Sequence, residues 1–380
     1  MKNSLDWESQ ETHWMLNPLW TSQENKFVEK AKISAPKLKS TIWIRSSGTT
    51  GRGEVRWVAL SKNAFLVSAQ AVNKHLQVTP GDVWLRCLPE FHVGGLSIHA
   101  RAFLGQNEIV VSESWDILSF IDLIEKNHVT LTSLVPTQVY DLVQNNIYAP
   151  QSLRAIVVGG DALSESLYQQ ARSLGWPLLP SYGLTECCSQ VATASLESLN
   201  SNNYPRLQIL NHVHLSLSSK GCLQIESDAL CEGSLTVKVS GEVFWKPLDK
   251  GFKKKFETGD LVQIQNGYLT FLERETETLK ILGELVSLKK IKQSVDKVVE
   301  SLGWPSKEFT VLSVPDERRG YTLHLVTENS NIFKTPNILC SINKDLEKYE
   351  RFSSLYVVDC LPRTDLRKIK TSDLQKLLGF

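Results

Sequence analysis

The sequence predicts an α/β fold: a large N-terminal domain of parallel α/β sheets with a β-rich subdomain, followed by a small α+β domain. Short apolar runs alternate with amphipathic stretches from Thr41 to about residue 200, short strands then follow one another, and a mixed pattern begins past Arg274. The expected organisation is an N-terminal domain over 1–273, with an arm over 1–40 and a β-rich subdomain over 200–273, and a mobile C-terminal domain over 274–380 with a hinge near 274–280.

The first half of the chain carries the signature of a parallel sheet. Predicted strands are "TIWIR", "EVRWVAL", "VWLRCL", "NEIVV", "VTLTSLV" and "LRAIVV", separated by helical stretches such as "SWDILSFIDLIEKNH" and "SESLYQQARSLG". Ser61 is a suitable N-cap for the helix that begins after it. Strands and helices that alternate at these lengths form right-handed βαβ units, so we expect parallel strands. The polar, weakly patterned residues 1–40 predict a loosely packed arm.

The second half is richer in strands and then turns mixed. Asn266-Gly267 separates two apolar runs in "GDLVQIQNGYLTFL", which is a strong signature of a β-hairpin. A charged helix is expected from Ser287, with strands at "FTVLSV", "YTLHLV" and "SLYVVD" and a helix near "NILCSINKDLEKY". The polar segment "RETETLK" is the natural hinge between the two parts.

Composition excludes several function classes. The 380 residues carry a formal net charge of +1, which gives no reason to expect a nucleic acid or an anionic membrane as partner. The start lacks the pattern of a signal peptide, and no apolar stretch approaches the length of a membrane span. The seven cysteines show no metal-binding spacing, so we expect reduced thiols and a cytoplasmic location.

The segment "IRSSGTTGRGEVRWV" places serines, threonines and glycines between two predicted strands. Its backbone N–H groups and hydroxyls suit a polyphosphate, whose oxygens need many donors brought close. It is not a P-loop, because the Gly-Lys-Ser/Thr ending is absent. A flexible connector is the alternative interpretation. The candidate binding residues are Ser46, Ser47, Gly48, Thr49, Thr50 and Gly51.

Two further segments follow buried strands, where nucleotides bind in open parallel sheets. Gly159 and Gly160 stand between a strand and a helix, and "SYGLTECCSQ" offers Tyr182 for stacking on a base and Glu186 as a ligand for Mg²⁺. Asp260, predicted at a strand start, could accept both hydroxyls of a ribose. Lys368 lies in a basic run near the C-terminus. Taken alone, Gly159-Gly160 favours an ordinary strand-to-helix turn and the Lys368 run a solvated surface, and the other two segments are also compatible with a turn.

In their order and spacing, these segments resemble the acyl-adenylate-forming superfamily. The matching motifs are "SSGTTG", "GGDALS", "YGLTE", "TGD", "RETETLKILGE" and "PRTDLRKIK", spread over about residues 41–370. The resemblance implies a two-step reaction with ATP, Mg²⁺ and coenzyme A, in which a carboxylate is adenylated with release of pyrophosphate and then transferred to the CoA thiol with release of AMP. Small-molecule substrates are therefore the expected partners, and a homodimer is compatible with the sequence.

The resemblance also assigns roles. Thr185, Glu186 and Lys368 are the implied catalytic residues, with Glu186 on Mg²⁺ and Lys368 bridging the attacking carboxylate and the α-phosphate. Besides the loop from Ser46 to Gly51, the implied ATP-binding residues are Gly159, Gly160, Asp161, Ser181, Tyr182, Gly183, Asp260, Arg274 and Lys280. Thr276 occupies the pivot of the hinge, and Gly283 and Glu284 belong to the face that serves thioester formation.

Within the superfamily, the chain is most similar to the 2-succinylbenzoate–CoA ligases of menaquinone biosynthesis. "LPEFHVGGLSIHARAFL" resembles their acid-pocket segment, with Arg101 as a carboxylate ligand and His92 orienting the acid, and Ser189 and Gln190 match their continuation of the central motif. From residue type alone, Arg101 is equally an arginine on a helix surface and His92 a packed histidine. The chain is shorter than these ligases, which implies a trimmed N-terminal region.

The chain departs from the superfamily pattern at named positions. Glu54 stands where a phosphate-contacting lysine is usual, so Arg52 or Arg56 has to supply the missing cation. Thr276 and Glu277 replace an aspartate pair, and Arg367 replaces the glycine before Lys368. Alternatives to the proposed ligase are a ligase for another aryl or acyl acid, and a nucleotide-binding protein without turnover.

Overall fold

The structure is a computed structural model of the chain. It describes residues 5–20, 22–46, 54–238, 240–249, 251, 253–275, 278–334, 338–364 and 367–380, without the side chains of 22–24, 333 and 334. The described residues divide into two compact units: a larger one of 5–46, 54–258 and 263–271, and a smaller one of 259–262 and 272–380.

Helices and strands alternate through the first half of the chain and strands dominate its middle. The helices are α1 (Ser22–Ser34), α2 (Lys62–His75), α3 (Val93–Gly105), α4 (Ile117–Lys126), α5 (Pro136–Gln144), α6 (Glu165–Ser173), α7 (Leu288–Ser301), α8 (Ile338–Lys344) and α9 (Thr371–Leu377). The strands are β1 (His13–Met15), β2 (Thr41–Arg45), β3 (Glu54–Ser61), β4 (Val83–Arg86), β5 (Glu108–Val111), β6 (Leu131–Leu134), β7 (Ala155–Val158), β8 (Leu178–Leu184), β9 (Ser189–Thr193), β10 (Leu207–Ile209), β11 (His214–Leu217), β12 (Cys222–Glu226), β13 (Gly233–Lys238), β14 (Val243–Pro247), β15 (Lys255–Gln265), β16 (Tyr268–Arg274), β17 (Thr278–Ile281), β18 (Glu284–Ser287), β19 (Phe309–Asp316), β20 (Gly320–Thr327) and β21 (Phe352–Val357).

The predicted parallel sheet is confirmed for five strands, whereas the predicted strands at Thr41–Arg45 and Glu54–Ser61 pair antiparallel in a second sheet. Strands β5, β4, β6, β7 and β8 lie side by side in that order, and each adjacent pair is parallel. All four residues of β6 and of β7 are buried, because helices cover both faces of the sheet. The carboxyl ends of these strands therefore meet at one edge of the sheet.

A second sheet carries the strands on both sides of the glycine-rich loop, in the order β1-β2-β3-β13-β14. Its face is covered by tryptophans that are far apart in the sequence. Trp14 stacks on Trp43 with ring centroids 4.8 Å apart, and it meets the edge of Trp57 at 5.0 Å. Trp20 and Trp245 extend the cluster, since each contacts one of these rings edge-on. Aromatic packing of this kind gives the sheet much of its buried area.

The expectation that residues 1–40 pack loosely is wrong for the part that the structure describes. Strand β1 pairs with β2 in parallel, and Trp7 is 5% exposed. The ammonium group of Lys62 is buried and donates hydrogen bonds to the backbone carbonyls of Asp6 and Ser9 and to the Ser9 hydroxyl. The segment looks weakly patterned because its strand β1 is only three residues long and its helix α1 is largely polar.

The strands of the β-rich region do not form an isolated sheet. Strand β13 pairs with β3, and β10 pairs with β9, so this region completes sheets that begin earlier in the chain. The predicted hairpin is confirmed: Asn266 and Gly267 separate β15 from β16, with φ values of +52° and +79°. Positive φ at both central residues gives the turn a twist that matches the flanking strands.

In the smaller unit, the β17–β18 hairpin precedes α7, and β19, β20 and β21 form a sheet. The predicted helix after Ser287 is confirmed, since the Ser287 hydroxyl accepts a hydrogen bond from the Lys290 amide and caps α7. The predicted strands and the helix near residue 340 are present as β19, β20, β21 and α8, and α9 was not predicted. Across the described ranges, no helix combines the length and apolarity that a bilayer crossing needs.

Candidate functional site

The glycine-rich loop connects β2 to β3, which pair antiparallel. At its base, the backbone amide of Ser46 donates a hydrogen bond of 2.9 Å to the carbonyl of Arg56. The Ser46 hydroxyl bonds the same carbonyl at 3.4 Å. Ser46, a predicted phosphate-binding residue, is thus hydrogen-bonded to Arg56, the candidate cation, at the end of the β2–β3 pair. The other predicted residues of this loop, Ser47, Gly48, Thr49, Thr50 and Gly51, lie outside the described residues.

Glu186 is held at the same place by an ion pair. It lies in a short 3₁₀ turn, Thr185–Cys187, that connects β8 to β9. One nitrogen of the Arg56 guanidinium donates to its Oε1 at 2.7 Å. The Glu186 side chain is 12% exposed and that of Arg56 is 34% exposed, so the pair faces solvent mainly on the arginine side. The structure therefore brings the predicted metal ligand to the root of the loop.

The end of β7 and the glycine after it lie against β8. The expectation that the segment from Ser181 follows a strand is wrong for Ser181 to Gly183, which lie within β8. The Ser181 hydroxyl donates to the carbonyl of Val158 at 2.9 Å, and a Cβ on Gly159 would lie 2.9 Å from that hydroxyl oxygen. Gly160 adopts φ +89°, a conformation that favours glycine. Asp161 is exposed and accepts a hydrogen bond from the amide of Ala162. These residues line the carboxyl edge of the parallel sheet.

The motif "YGLTE", residues 182–186, begins in β8, which pairs with β9. A Cβ on Gly183 would lie only 2.1 Å from the carbonyl oxygen of Ser189, so only glycine allows the two strands to approach this closely. The Tyr182 ring, predicted to stack on a base, is half-buried and stacks on Phe271 with centroids 6.0 Å apart.

Arg101 lies inside the larger unit, which excludes the interpretation as a helix-surface arginine. Its side chain is 1% exposed. It donates hydrogen bonds to the Ser189 hydroxyl at 3.1 Å, to the Gln190 amide oxygen at 2.8 Å and to the Ser133 hydroxyl at 3.5 Å. The guanidinium also lies over the ring of Trp84, 5.5 Å from its centroid. The predicted acid-site residues Arg101, Ser189 and Gln190 thus come together in one cluster.

No carboxylate of the described residues pairs with Arg101, whose partners are the neutral groups just named. Burial lowers the pKa of Arg101 to about 9, and the side chain remains charged at neutral pH. A buried charge without a counter-charge is costly, and an anion that entered the cluster would relieve that cost. His92 stands at the N-cap of α3, the helix that carries Arg101, and its ring lies 4.8 Å from that of Phe91. Its role toward an acid stays a prediction.

The smaller unit holds the remaining predicted residues. The Arg274 Nε donates to Asp260 Oδ1 at 3.1 Å, so two of the predicted ATP-binding residues are partners. Asp260 is 7% exposed. The prediction that Asp260 begins a strand is wrong: it lies in the middle of β15, which already begins at Lys255 and alternates exposed Lys255 and Glu257 with covered Phe256 and Thr258.

The β17–β18 hairpin holds the predicted ATP-binding residue Lys280 and the predicted CoA-side residues Gly283 and Glu284. Lys280 is exposed near the end of β17, Gly283 occupies the turn with φ +92°, and Glu284 is exposed at the start of β18. The amide of Leu282 donates to the carbonyl of Arg319 at 2.8 Å, which anchors the turn on the loop before β20. Thr276, the predicted pivot, lies outside the described residues.

Lys368 lies before α9 and is hydrogen-bonded to Thr364. The Thr364 amide donates to the Lys368 carbonyl at 2.7 Å, and the Lys368 amide donates to the Thr364 hydroxyl at 3.1 Å. Arg367 adopts φ +59°, a left-handed conformation that a glycine takes without cost. This conformation explains why the superfamily pattern has glycine where this chain has Arg367.

Comparison with known proteins agrees with this geometry. The sequence profile of AMP-binding enzymes matches residues 6–212, which is more than half of the chain. The chain belongs to the AMP-binding enzyme family. A curated relative, the 2-succinylbenzoate–CoA ligase of Bacillus velezensis, is 26% identical over 87% of this chain and 68% of the relative.

Solved structures show the same fold. The o-succinylbenzoate CoA synthetase of Bacillus subtilis in complex with an acyl-adenylate intermediate is 23% identical, with a TM-score of 0.70 over 88% of this chain and 68% of that chain. The same enzyme in complex with ATP and magnesium ion gives a TM-score of 0.71 at 23% identity, over 88% and 69% of the two chains. The α/β fold of this AMP-binding enzyme is thereby confirmed.

Some contacts of this AMP-binding enzyme had no counterpart in the sequence analysis. Arg56 was considered only as a source of positive charge, whereas it pairs with Glu186, 130 positions away along the chain. Ser133 and Trp84 were not predicted beside Arg101. Ser133 did carry a usable sign, because it is a hydroxyl residue within an otherwise buried strand, and such a group needs a polar partner.

Proposed function

We propose that this AMP-binding enzyme is an AMP-forming acid–CoA ligase whose substrate is 2-succinylbenzoate, acting in menaquinone biosynthesis. In the first half-reaction, a carboxylate oxygen attacks the α-phosphorus of ATP, and pyrophosphate leaves. In the second, the CoA sulfur attacks the carbonyl carbon of the acyl adenylate, its thiol proton is released, and AMP leaves. The names of the relatives support this acid, and we place the reaction in the cytoplasm, where ATP and CoA are found.

The buried guanidinium of Arg101 is the observation that carries the choice of acid. The acid has two carboxylates, one aromatic and one aliphatic. One of them is activated, and the other needs a cationic partner. Arg101 is charged, enclosed and surrounded by neutral partners, Ser189 and Gln190 among them. A guanidinium can bind a carboxylate bidentately, which fixes its orientation as well as its charge. A simple benzoate offers nothing to this group.

The residues of the larger unit provide the nucleotide site. Ser46 and the rest of its loop would donate to the β- and γ-phosphates, and Tyr182 with Gly159 and Gly160 would hold the base. Glu186 fits a Mg²⁺ ligand, because only its Oε1 is engaged by Arg56 among the described residues, and Mg²⁺ usually takes one or two carboxylates together with substrate phosphates. The ion would neutralise phosphate charge during the displacement.

The smaller unit contributes Asp260 for the ribose hydroxyls and Lys368 for adenylation. Lys368 would bridge the attacking carboxylate and the α-phosphate, and its positive charge would offset the repulsion between these two anions. We further propose that 274–380 is a mobile domain that pivots near Thr276 and presents Gly283 and Glu284 for the thioester step. A rotation of this kind lets one pocket serve two half-reactions.

Acid-dependent release of pyrophosphate and AMP, with and without CoA, tests the proposal across a panel of aryl and acyl acids. We expect pyrophosphate with 2-succinylbenzoate alone, and AMP and thioester once CoA is added. Turnover with simple benzoates but not with 2-succinylbenzoate would assign another acid. ATP binding without turnover on any acid would make the protein a nucleotide-binding protein without ligase activity.

Lys368→Ala separates the two half-reactions. The variant should lose adenylation by on the order of 10²- to 10³-fold, because one charge that stabilises the transition state is removed. It should still form thioester from preformed acyl adenylate and CoA. Equal loss of both steps would contradict the role that we assign to Lys368.

A further inference from the structure

Two carboxylates, those of Glu54 and Glu186, lie at the root of the glycine-rich loop, where the proposed function needs a polyphosphate to bind. Lys238, opposite Glu54 on β13, pairs with Glu242. Glu54 and Arg56 are two positions apart on β3, so their side chains leave the same face of the strand about 7 Å apart. Glu186 meets that face through its ion pair with Arg56. A nucleotide triphosphate entering here brings several negative charges toward two carboxylates, and a cation is needed to receive it.

Arg56 has the position and the free capacity to be that cation. Its backbone carbonyl accepts the hydrogen bond from the Ser46 amide, so the residue is fixed beside the first residue of the loop. The ion pair with Glu186 is the guanidinium's one side-chain bond within the described residues, and it uses a single N–H of the five that arginine carries. The side chain is about one-third exposed, so donors remain open to the solvent side.

We propose that Arg56 is the phosphate-binding cation of this site, oriented by Glu186, and that it replaces the lysine that the superfamily has at the position of Glu54. Compared with the superfamily pattern, the positive charge lies two residues further along the same face of β3, at Arg56, and Glu54 stands at the position of the lysine. Glu186 then has two functions: its Oε1 holds the guanidinium, and its other oxygen is available to a metal ion. The inference rests on the nucleotide-binding part of the proposed function and not on the identity of the acid.

An ion pair that merely stabilises the fold, or one that blocks the metal ligand, would make different predictions. A phosphate-binding cation contacts the β- and γ-phosphates, which AMP lacks. Its removal should therefore weaken ATP binding and leave AMP binding unchanged. A stabilising pair would affect both nucleotides, and a blocking pair would make ATP bind more tightly after its removal.

The experiment measures the Kd of ATP and of AMP by calorimetry at saturating Mg²⁺ for the wild type, Arg56→Gln and the double variant Arg56→Gln/Glu54→Lys. We expect Arg56→Gln to weaken ATP by about 10- to 100-fold, the usual effect of one charge-assisted phosphate contact, with AMP within about 2-fold. The lysine of the double variant should restore ATP affinity to within about 3-fold of the wild type.

Lys254→Met is the matched control. Lys254 forms another partly buried ion pair in the larger unit, with Glu232 at 2.6 Å and side chains 18% and 15% exposed. Its loss should leave the ratio of ATP to AMP affinity unchanged. The inference is overturned if Arg56→Gln changes both affinities alike, if it tightens ATP, or if Glu54→Lys fails to rescue. Because these are binding measurements, an enzyme that releases no pyrophosphate with any acid would contradict the proposed function while leaving them interpretable.

Discussion

The guanidinium of Arg101 donates a hydrogen bond of 2.8 Å to the amide oxygen of Gln190, and this contact joins helix α3 to strand β9 inside the larger unit. The Gln190 amide nitrogen in turn donates to the Thr193 hydroxyl at 2.6 Å. Gln190 orients the arginine without neutralising it. The cluster therefore keeps a positive charge for an incoming anion, and this balance can be tested by changing one atom.

Gln190→Glu should supply Arg101 with a negatively charged partner from the protein itself. The new carboxylate would pair with Arg101, and the Thr193 hydroxyl can reverse to donate to it. We expect affinity for 2-succinylbenzoate to fall at least about tenfold while the melting temperature stays the same or rises, because a desolvated charge gains its partner. Acid binding by calorimetry and thermal unfolding measure the two effects. Gln190→Met, of similar length but uncharged, should weaken acid binding less; equal losses would contradict the electrostatic explanation.

Arg367→Gly should stabilise the smaller unit. The left-handed backbone at Arg367, φ +59°, costs a residue with a Cβ roughly 1 kcal/mol. Glycine avoids this cost, but its greater freedom in the unfolded chain cancels part of the gain. We expect a gain of about 0.5 kcal/mol in the free energy of unfolding, measured by chemical denaturation. Arg367→Ala keeps the backbone cost and should show no gain. If alanine and glycine stabilise equally, the side chain rather than the backbone is responsible.

Asp82 should make the larger unit sensitive to acid. Burial alone would raise its pKa, but hydrogen bonds from Arg154, from the Thr79 amide and from the Thr130 hydroxyl outweigh burial and lower the pKa to about 2. Because the folded pKa lies below the unfolded value near 4, the stabilisation is complete above about pH 4 and is lost as the pH falls toward 2. The shift corresponds to about 2 kcal/mol.

Asp82→Asn measures this contribution. At pH 7 the variant should lose about 2–4 kcal/mol of unfolding free energy, since it also leaves Arg154 without its charge partner. The difference between variant and wild type should shrink as the pH is lowered from 5 to 3, which urea unfolding at each pH will show. A difference independent of pH would mean that the ionised carboxylate is not what stabilises the fold.

Gly183→Ala should disturb both stability and the site. Its Cβ would lie 2.1 Å from the Ser189 carbonyl oxygen, so β8 and β9 must separate and the turn that carries Glu186 must shift. We expect a loss of about 1–3 kcal/mol in unfolding free energy together with weaker ATP binding. Gly81→Ala is the control, because nothing lies within 4 Å of its added Cβ, and it should change stability by less than about 0.5 kcal/mol. Similar losses at both positions would contradict the steric explanation.

Local pattern predicted the parts of the fold that are local in origin. The alternation of buried strands with helices, the Asn266-Gly267 turn and the caps at Ser61 and Ser287 each depend on residues within a few positions of one another. The same holds for the motifs that carry the family resemblance. They are short segments whose order along the chain is visible without any structure.

Long-range packing decided the rest. Nothing near Trp14 indicates that its ring will stack on Trp43, and residues 1–40 therefore looked loosely packed. The central position of Asp260 in β15 was missed because charged residues on an exposed strand face resemble a loop. The environment of a side chain depends on elements that fold against it from elsewhere in the chain.

The sequence by itself determined the class of this protein, since the order and spacing of its motifs are enough to place it among the AMP-binding enzymes. Only the tertiary structure decided what its two key arginines face. Arg101 is buried and meets no counter-charge among the residues that the structure describes, and Arg56 reaches Glu186 across 130 positions. The residue type gives the charge of a guanidinium, but its solvation and its partners depend on how the sheets and helices pack around it.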